Sequence, residues 1–137
     1  MYRNILVPVD LSHEDTTRRI LALGKRLVSE GGKVTVLNVL PEIPTYVETY
    51  VPEDVKESRE KDQRDLLQRV VAGAEIEDAD VLLTHGAAHM RILEVIDEVK
   101  PDLVIIGSHR PGLSDYFLGS TAGRVVRHAG CSVLVDR

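Results

Sequence analysis

The sequence predicts an α/β fold in which five parallel strands form one sheet of order 3-2-1-4-5, with helices on both faces. Five short apolar runs are nearly unbroken and rich in β-branched residues, which is typical of strands covered on both faces. Segments with helical periodicity separate these runs, so strand–helix–strand units with right-handed crossovers follow. The runs lie at 5–9, 34–40, 81–83, 103–106 and 133–135.

The first helix is predicted over residues 15–30. Apolar residues recur at helical spacing between positions 20 and 28, and Ser12 is suited to cap the N-terminus. The pair Gly31-Gly32 is the expected stop of this helix.

Three more helices follow: one that starts near residues 52–54, and two over about 89–99 and 119–129. The second begins near Pro52, which suits a first helical position, and its early half at 56–64 is almost entirely charged. We expect that half to project past the sheet into solvent. The connection at 41–52 is the one long connection and carries Tyr46 and Tyr50, so it is interpreted as a lid or a partner surface.

Length and composition limit the class of protein. The 137 residues predict one domain spanning 1–137, and the net charge of -5 argues against broad binding to nucleic acid, which needs a basic face. The single Cys131 excludes an intrachain disulfide and suits a reducing compartment. No apolar run approaches the length of a membrane span, and the N-terminal residues lack signal-peptide features. We therefore expect a cytoplasmic protein that has no membrane partner.

The tail of the chain has the pattern of a phosphate-binding segment. An apolar run ends in Gly107, a turn-rich loop follows, and a helix then begins with the small residues Gly119, Ser120 and Thr121. The free N–H groups of a helix start favour an anion. A parallel strand would deliver Gly107 to the carboxyl edge of the sheet, where ligands bind in open α/β folds.

Asp10 is the first charged residue after the run ILVPV, so it lies at the same edge of the sheet. A carboxylate at that place can accept hydrogen bonds from ribose hydroxyls. Alternatively, Asp10 is a turn residue or helps to cap the next helix. The strand before Asp10 and the strand ending at Gly107 are predicted neighbours at the switch point, which favours the ligand interpretation.

Other well-known signatures are absent from the sequence. There is no G-x-x-x-x-G-K-[ST] loop and no G-x-G-x-x-G after the first strand, so neither a Walker-type loop nor a dinucleotide site is expected. His85 and His89 straddle a predicted strand-to-helix turn at Gly86 and share no helix face, so we expect no metal site.

Four stretches carry a family resemblance: ILVPVDLS at 5–12, VLNVLP at 36–41, H-G-x-x-x-x-x-I-L at 85–93, and the tail from Gly107. On these stretches the chain resembles the universal stress protein family, and its tail is especially similar to the bacterial F/G-type subgroup. The resemblance implies an adenine nucleotide alpha-hydrolase-like fold, a doubly wound parallel sheet that is commonly dimeric. It also implies binding of ATP or AMP, with Mg²⁺ as an option, through the motif G-x-x-G-x9-G-[ST].

The sequence departs from that motif at one place. Gly107 and the pair Gly119-Ser120 match, but Arg110 replaces the middle glycine and the spacing to Gly119 is one residue short. The stretch Ser-His-Arg-Pro at 108–111 resembles the corresponding stretch of the F/G subgroup, so we interpret it as a variant of the phosphate loop. Arg110 offers a charge-assisted fork to a phosphate. A solvated loop cation, or a pair with Asp115, is the alternative.

The resemblance also implies a set of nucleotide-binding residues. One group would surround adenine and ribose, and the other would surround the phosphates. The first group is Pro8, Val9, Asp10 and Val39, and the second is Gly107, His109, Arg110, Gly119, Ser120 and Thr121.

The function that these residues favour is an adenine-nucleotide-binding, dimeric stress-response protein. One alternative is an interaction protein of the same type that has lost nucleotide binding and acts through its dimer surfaces. Another is a nucleotidyl transferase or ligase, but neither H-x-G-H nor S-G-G-x-D-S is present. We expect no catalytic residues and at most slow ATP hydrolysis, because the loop at 108–118 offers a single carboxylate and no lysine.

The last predicted strand, 131–136, is an edge strand in the order 3-2-1-4-5. Its run SVLV is too apolar to leave in water, and its backbone groups lack partners on one side. A two-fold partner can cover this edge with the same patch on both subunits. We therefore expect a homodimer through the C-terminal strand, with a tetramer as a further option.

Overall fold

The computed structural model describes residues 1–108 and 118–137. These residues form five strands and five helices, and one helix lies between each pair of consecutive strands except β2 and β3, which two helices separate. The strands are β1 Tyr2–Val9, β2 Val28–Leu40, β3 Ala79–His85, β4 Leu103–Gly107 and β5 Ser132–Asp136. The helices are α1 Glu14–Leu27, α2 Thr45–Glu48, α3 Glu53–Gly73, α4 Ala88–Val99 and α5 Ser120–His128.

The strands form one parallel sheet of order β3-β2-β1-β4-β5, which confirms the predicted topology. Side chains alternate between two buried clusters because successive strand residues point to opposite faces. Ile5 and Val7 pack with α1 and α3 on one face, whereas Leu6 and Leu37 pack with α4 and α5 on the other. Both faces of the central strands are thus covered, which accounts for their nearly unbroken apolar runs.

The N-terminus of α1 differs from the prediction. The helix begins at Glu14 with His13 as its N-cap residue, and no side chain caps it. Ser12 was the wrong choice, because its hydroxyl donates to Asp10 Oδ1 at 2.6 Å instead. The hydroxyl of Ser12 thus binds the carboxylate of Asp10 and does not accept a hydrogen bond from the N–H groups of the helix N-terminus.

The C-terminus of α1 also differs, because Gly31-Gly32 does not stop the helix. The helix ends at Leu27, and β2 begins at once with Val28, which pairs with Tyr2. The two glycines lie inside β2, where its register against β1 shifts. Gly31 has a φ of +78°, and a Cβ on Gly32 would lie 2.9 Å from the carbonyl oxygen of Arg3. The glycines are therefore required by an irregular strand pairing and not by a helix end.

The early half of α3 was predicted to project past the sheet into solvent. Most of its residues are exposed, but two of its side chains contact other elements. Arg59 Nη2 donates to the carbonyl oxygen of Pro41 at 3.2 Å, and Gln63 Nε2 donates to Asn38 Oδ1 at 3.0 Å. These polar contacts hold the half-helix against β2 and the connection that follows it, which charge composition alone does not reveal. Pro52 is the N-cap residue and not the first residue of the helix.

The connection at 41–52 contains the one-turn helix α2. Tyr46 and Tyr50 are 79% and 83% exposed. Lys56 Nζ lies 3.5 Å from Glu48 Oε1, so α2 is linked to the start of α3. A role as lid or partner surface stays a prediction.

Among the described strands, β5 pairs with β4 alone. Val133, Leu134 and Val135 are half-buried. Cys131 lies just before this strand, and burial raises the pKa of its thiol, with a smaller contribution from the charge of Asp102. Within the described part of the chain, no helix is both long and apolar enough to cross a membrane.

Candidate functional site

A cavity of about 900 Å³ opens at the carboxyl end of the sheet. The chain proceeds from β1 to β2 and β3 on one side and then returns to place β4 on the other side of β1. The strand order therefore reverses between β1 and β4. This is the place where open α/β sheets bind ligands, because the loops after the two strands diverge there.

Eight of the ten residues predicted to bind a nucleotide line this one cavity. They come from the end of β1, the end of β2, the end of β4 and the start of α5. They are Pro8, Val9, Asp10, Val39, Gly107, Gly119, Ser120 and Thr121. The other two, His109 and Arg110, lie outside the described residues, as does Asp115.

The carboxylate of Asp10 has a turn role as well as a place on the cavity wall. Its Oδ1 accepts hydrogen bonds from the backbone N–H of Ser12 at 3.0 Å and from the Ser12 hydroxyl at 2.6 Å. Its Oδ2 lies 3.8 Å from His13 Nε2, and the side chain is 67% exposed. The turn alternative is thus observed. Since the carboxylate is exposed and lines the cavity, it also remains accessible to a ligand hydroxyl.

The backbone of Asp10 is held in place by α1. Its carbonyl oxygen accepts hydrogen bonds from His13 N and from the hydroxyl of Thr17, the latter at 2.9 Å. Thr17 is buried, and a buried hydroxyl needs such a partner. The loop after β1 is therefore fixed relative to the helix, which fixes the position of the Asp10 carboxylate at the cavity.

Ser108 joins the two sides of the segment 109–117. Its Oγ accepts a hydrogen bond from Gly119 N at 2.8 Å, and its own N–H donates to the carbonyl oxygen of Asp136 at 2.8 Å. The end of β4 and the start of α5 are therefore tied directly to each other. The sequence analysis includes Ser108 in the stretch Ser-His-Arg-Pro but does not count it among the binding residues, because nothing in the sequence indicates its two hydrogen bonds.

The first turn of α5, from Ser120 to Ala122, lines the cavity with Gly119 as its N-cap residue. The N-terminus of a helix carries a partial positive charge and favours an anion. Ser120 and Thr121 add hydroxyl groups to this wall. The arrangement suits the binding of a phosphate group at the end of the cavity next to Gly107.

Two amide side chains that line the cavity were not predicted. Asn38 on β2 is 4% exposed, and Gln63 comes from α3. Asn38 is the one polar residue in the otherwise apolar run VLNVL, and that interruption is a signal that could have identified it. Gln63 lies among charged residues and offers no signal of its own.

The fold and the position of the cavity define a doubly wound α/β protein with a cavity at its switch point. The universal stress protein family model matches residues 1–137. The chain belongs to the universal stress protein family. It is 30% identical over 142 residues to Universal stress protein G of Escherichia coli O157:H7, with 100% of both chains covered.

Solved structures agree on the fold. Universal stress protein UspA from Lactobacillus plantarum has a TM-score of 0.73 and 25% identity, covering 99% of this chain and 98% of that one. A universal stress protein from Archaeoglobus fulgidus, solved in complex with dAMP, has a TM-score of 0.64 and 23% identity, covering 99% and 98%. Another universal stress protein, solved in complex with cAMP, has a TM-score of 0.68 and 22% identity, covering 99% and 97%.

Proposed function

We propose that this protein binds an adenine nucleotide, ATP or AMP, in the cavity at the carboxyl end of its sheet and acts as a nucleotide-binding stress-response protein. One observation carries the proposal: residues from four separate segments, singled out from the sequence for nucleotide binding, line the same cavity. The relatives solved with dAMP and cAMP support it, because both ligands are adenine nucleotides.

The two ends of the cavity suit the two ends of such a ligand. Pro8, Val9 and Val39 form an apolar wall for the base, and Asp10 accepts hydrogen bonds from the ribose hydroxyls. At the other end, Gly107 and the start of α5 receive the phosphates, together with His109 and Arg110 of the neighbouring loop. If Mg²⁺ accompanies the nucleotide, the phosphates and the Ser120 hydroxyl are its ligands.

The same cavity favours binding over rapid phosphoryl transfer. Among the described residues that line it, Asp10 is the only carboxylate, and no lysine or arginine is present. Rapid transfer needs charge neutralisation, usually by a metal, and a group that positions the attacking water. We therefore propose at most slow ATP hydrolysis.

The test of this proposal is the variant Asp10→Ala, with Asp15→Ala as its matched control. Asp15 is an exposed carboxylate in the first turn of α1 that does not line the cavity. Losing hydrogen bonds to a charged acceptor should weaken binding by roughly tenfold or more. Because the ribose is common to both, ATP and adenosine should be affected alike in calorimetric titrations. Unchanged affinities in Asp10→Ala would leave Asp10 with its turn role alone.

We also propose that the chain forms a homodimer through β5. The outer edge of β5 has no strand partner among the described residues, and its apolar residues stay half-buried in the single chain. A second copy placed on the same edge would cover both.

The variant Val133→Lys should shift the protein from dimer to monomer, measured by light scattering at micromolar concentration. Leu82→Lys is the control, because it places the same charge on β3, at the opposite edge of the sheet. Since Val133 also packs against its own core, a thermal melt must show that the variant is folded. A wild type that is monomeric at this concentration would contradict the proposal.

A further inference from the structure

A chain of hydrogen bonds connects the backbone of β1 to a side chain on α3 across the cavity wall. Asn38 Nδ2 donates to the carbonyl oxygen of Val9 at 3.0 Å. Gln63 Nε2 donates to Asn38 Oδ1 at 3.0 Å. All three residues line the cavity that is proposed to hold the nucleotide. Asn38 is buried and Gln63 is half-buried, so this small network is largely shielded from water.

The direction of every hydrogen bond in this chain is set by its first member. The carbonyl oxygen of Val9 can only accept, so the Asn38 amide must turn its NH₂ group towards it. Asn38 Oδ1 is then an acceptor, and Gln63 must donate to it with Nε2. A rotated Gln63 amide would place two acceptor oxygens against each other in a buried place, which is costly. The amide of Gln63 is therefore held in one orientation by the backbone of β1.

In this orientation Gln63 has two groups left for a ligand. Its Oε1 accepts no hydrogen bond from the described residues, and Nε2 retains a second N–H. When Asn38 accepts from the N–H that points away from Oε1, the other N–H lies beside Oε1. This acceptor and donor pair matches adenine, whose 6-amino group donates while the neighbouring ring nitrogen accepts. Inosine and guanine carry an oxygen at position 6, which would face Oε1 as a second acceptor.

We propose that Gln63 selects the adenine base at this site and that Asn38 is the positioning residue that fixes the direction of its amide. This inference rests on the proposed nucleotide-binding function and adds the residue that reads the base. It accounts for a buried polar residue in the middle of an apolar strand, a place where a side chain that only packed would be aliphatic.

The test compares AMP with IMP, which replaces the 6-amino group of adenine by an oxygen. The wild type should bind AMP more tightly than IMP by roughly 5- to 150-fold, the range of one bidentate amide–adenine pair. Gln63→Ala should lower the affinity for AMP and bring the AMP/IMP ratio close to one. The control is Gln68→Ala, which makes the same change on the exposed face of α3 and should keep the wild-type ratio.

Asn38→Ala gives a second test, in which the affinities for IMP and AMP should change in opposite directions. Loss of a residue that only supports the fold would not have this effect. Without Asn38, the amide of Gln63 is free to rotate and to donate to the oxygen of IMP. The affinity for IMP should then rise while that for AMP falls, in a protein that a thermal melt shows to be folded. A residue that served packing alone would weaken both ligands in parallel.

The outcomes separate this inference from the function on which it rests. If calorimetry shows that neither AMP nor IMP binds to the wild type, the nucleotide-binding proposal is overturned, and the inference is overturned with it. If AMP and IMP bind equally well, or if Gln63→Ala keeps the wild-type ratio, the role of Gln63 is wrong and nucleotide binding stands.

Discussion

Replacing Leu37 with alanine should lower the free energy of unfolding by about 2–5 kcal/mol, the usual cost of this change in a core. Leu37 is fully buried in β2 and belongs to the cluster that packs β1 and β4 against α4 and α5. Its removal leaves a void between the sheet and these helices, and β2 cannot move to fill it because it is paired on both sides. Urea unfolding, followed by circular dichroism, measures the change.

Leu82→Ala is the matched control for this variant. Leu82 is the register partner of Leu37 on the neighbouring strand β3, but it is 38% exposed at the edge of the sheet. The same truncation there should cost about 1 kcal/mol, well below the loss at Leu37, because more than a third of the side chain is already exposed to water. Equal losses in the two variants would contradict the core position assigned to Leu37.

The second large effect is expected at Gly107, where β4 ends at the cavity. A Cβ atom on this residue would lie 2.4 Å from Thr16 Cγ2, far inside van der Waals contact. The backbone on each side of this contact is fixed by hydrogen bonds, so neither segment can move apart easily. Ser108 N donates to the carbonyl oxygen of Asp136, and the start of α1 is tied to Asp10 through His13 N and the Thr17 hydroxyl. Gly107→Ala should therefore destabilise the fold by about 1–3 kcal/mol, the usual cost of overpacking.

The double variant Gly107→Ala with Thr16→Ala tests whether this contact is the cause. Thr16→Ala removes Cγ2, and the next atom of that side chain, Cβ, would lie 3.9 Å from the new methyl group, an ordinary contact distance. The double variant should thus recover most of the stability that the single change at Gly107 loses, a clear departure from additivity in unfolding measurements. Additive losses would mean that Gly107 is required for another reason.

Much of the fold could be predicted from the sequence because a buried parallel sheet has an unambiguous pattern. The runs around Ile5, Val34 and Leu103 are apolar at nearly every position, and this occurs when both faces of a strand are covered. The solved structure of the relative from Lactobacillus plantarum agrees with the resulting fold.

The elements that were wrong share a physical reason. Ser12 was assigned to the helix cap, and Gly31-Gly32 to the helix stop, from local preferences alone. The preference of a single residue type for a helix end does not take into account which other residues it contacts. Such contacts decide the outcome at Ser12 and at Gly31-Gly32. The Asp10 carboxylate engages Ser12, and the pairing of Val28 with Tyr2 begins β2 before the glycines are reached.

The candidate site was predictable where it consists of strand ends and a helix start. Asp10, Gly107 and Ser120 each follow from their place at the edge of the sheet or at the first turn of a helix. Gln63 was not predictable, because its place on the cavity wall depends on how α3 lies across β2. Leu67 and Val71 pack the later half of α3 into the core. The early half, which carries Gln63, is held by single polar contacts, such as the one from Gln63 to Asn38, which leave no periodic trace in the sequence.

The most direct test of the account is the melting temperature of the purified protein in the presence of ATP, ADP and AMP. A ligand that binds only the folded state stabilises it in proportion to the logarithm of its excess over the dissociation constant. At about 100-fold excess the gain is roughly 2.7 kcal/mol, so at least one of the three nucleotides should raise the melting temperature by several degrees. A melting temperature that does not move at saturating concentrations of all three would contradict the proposed nucleotide site.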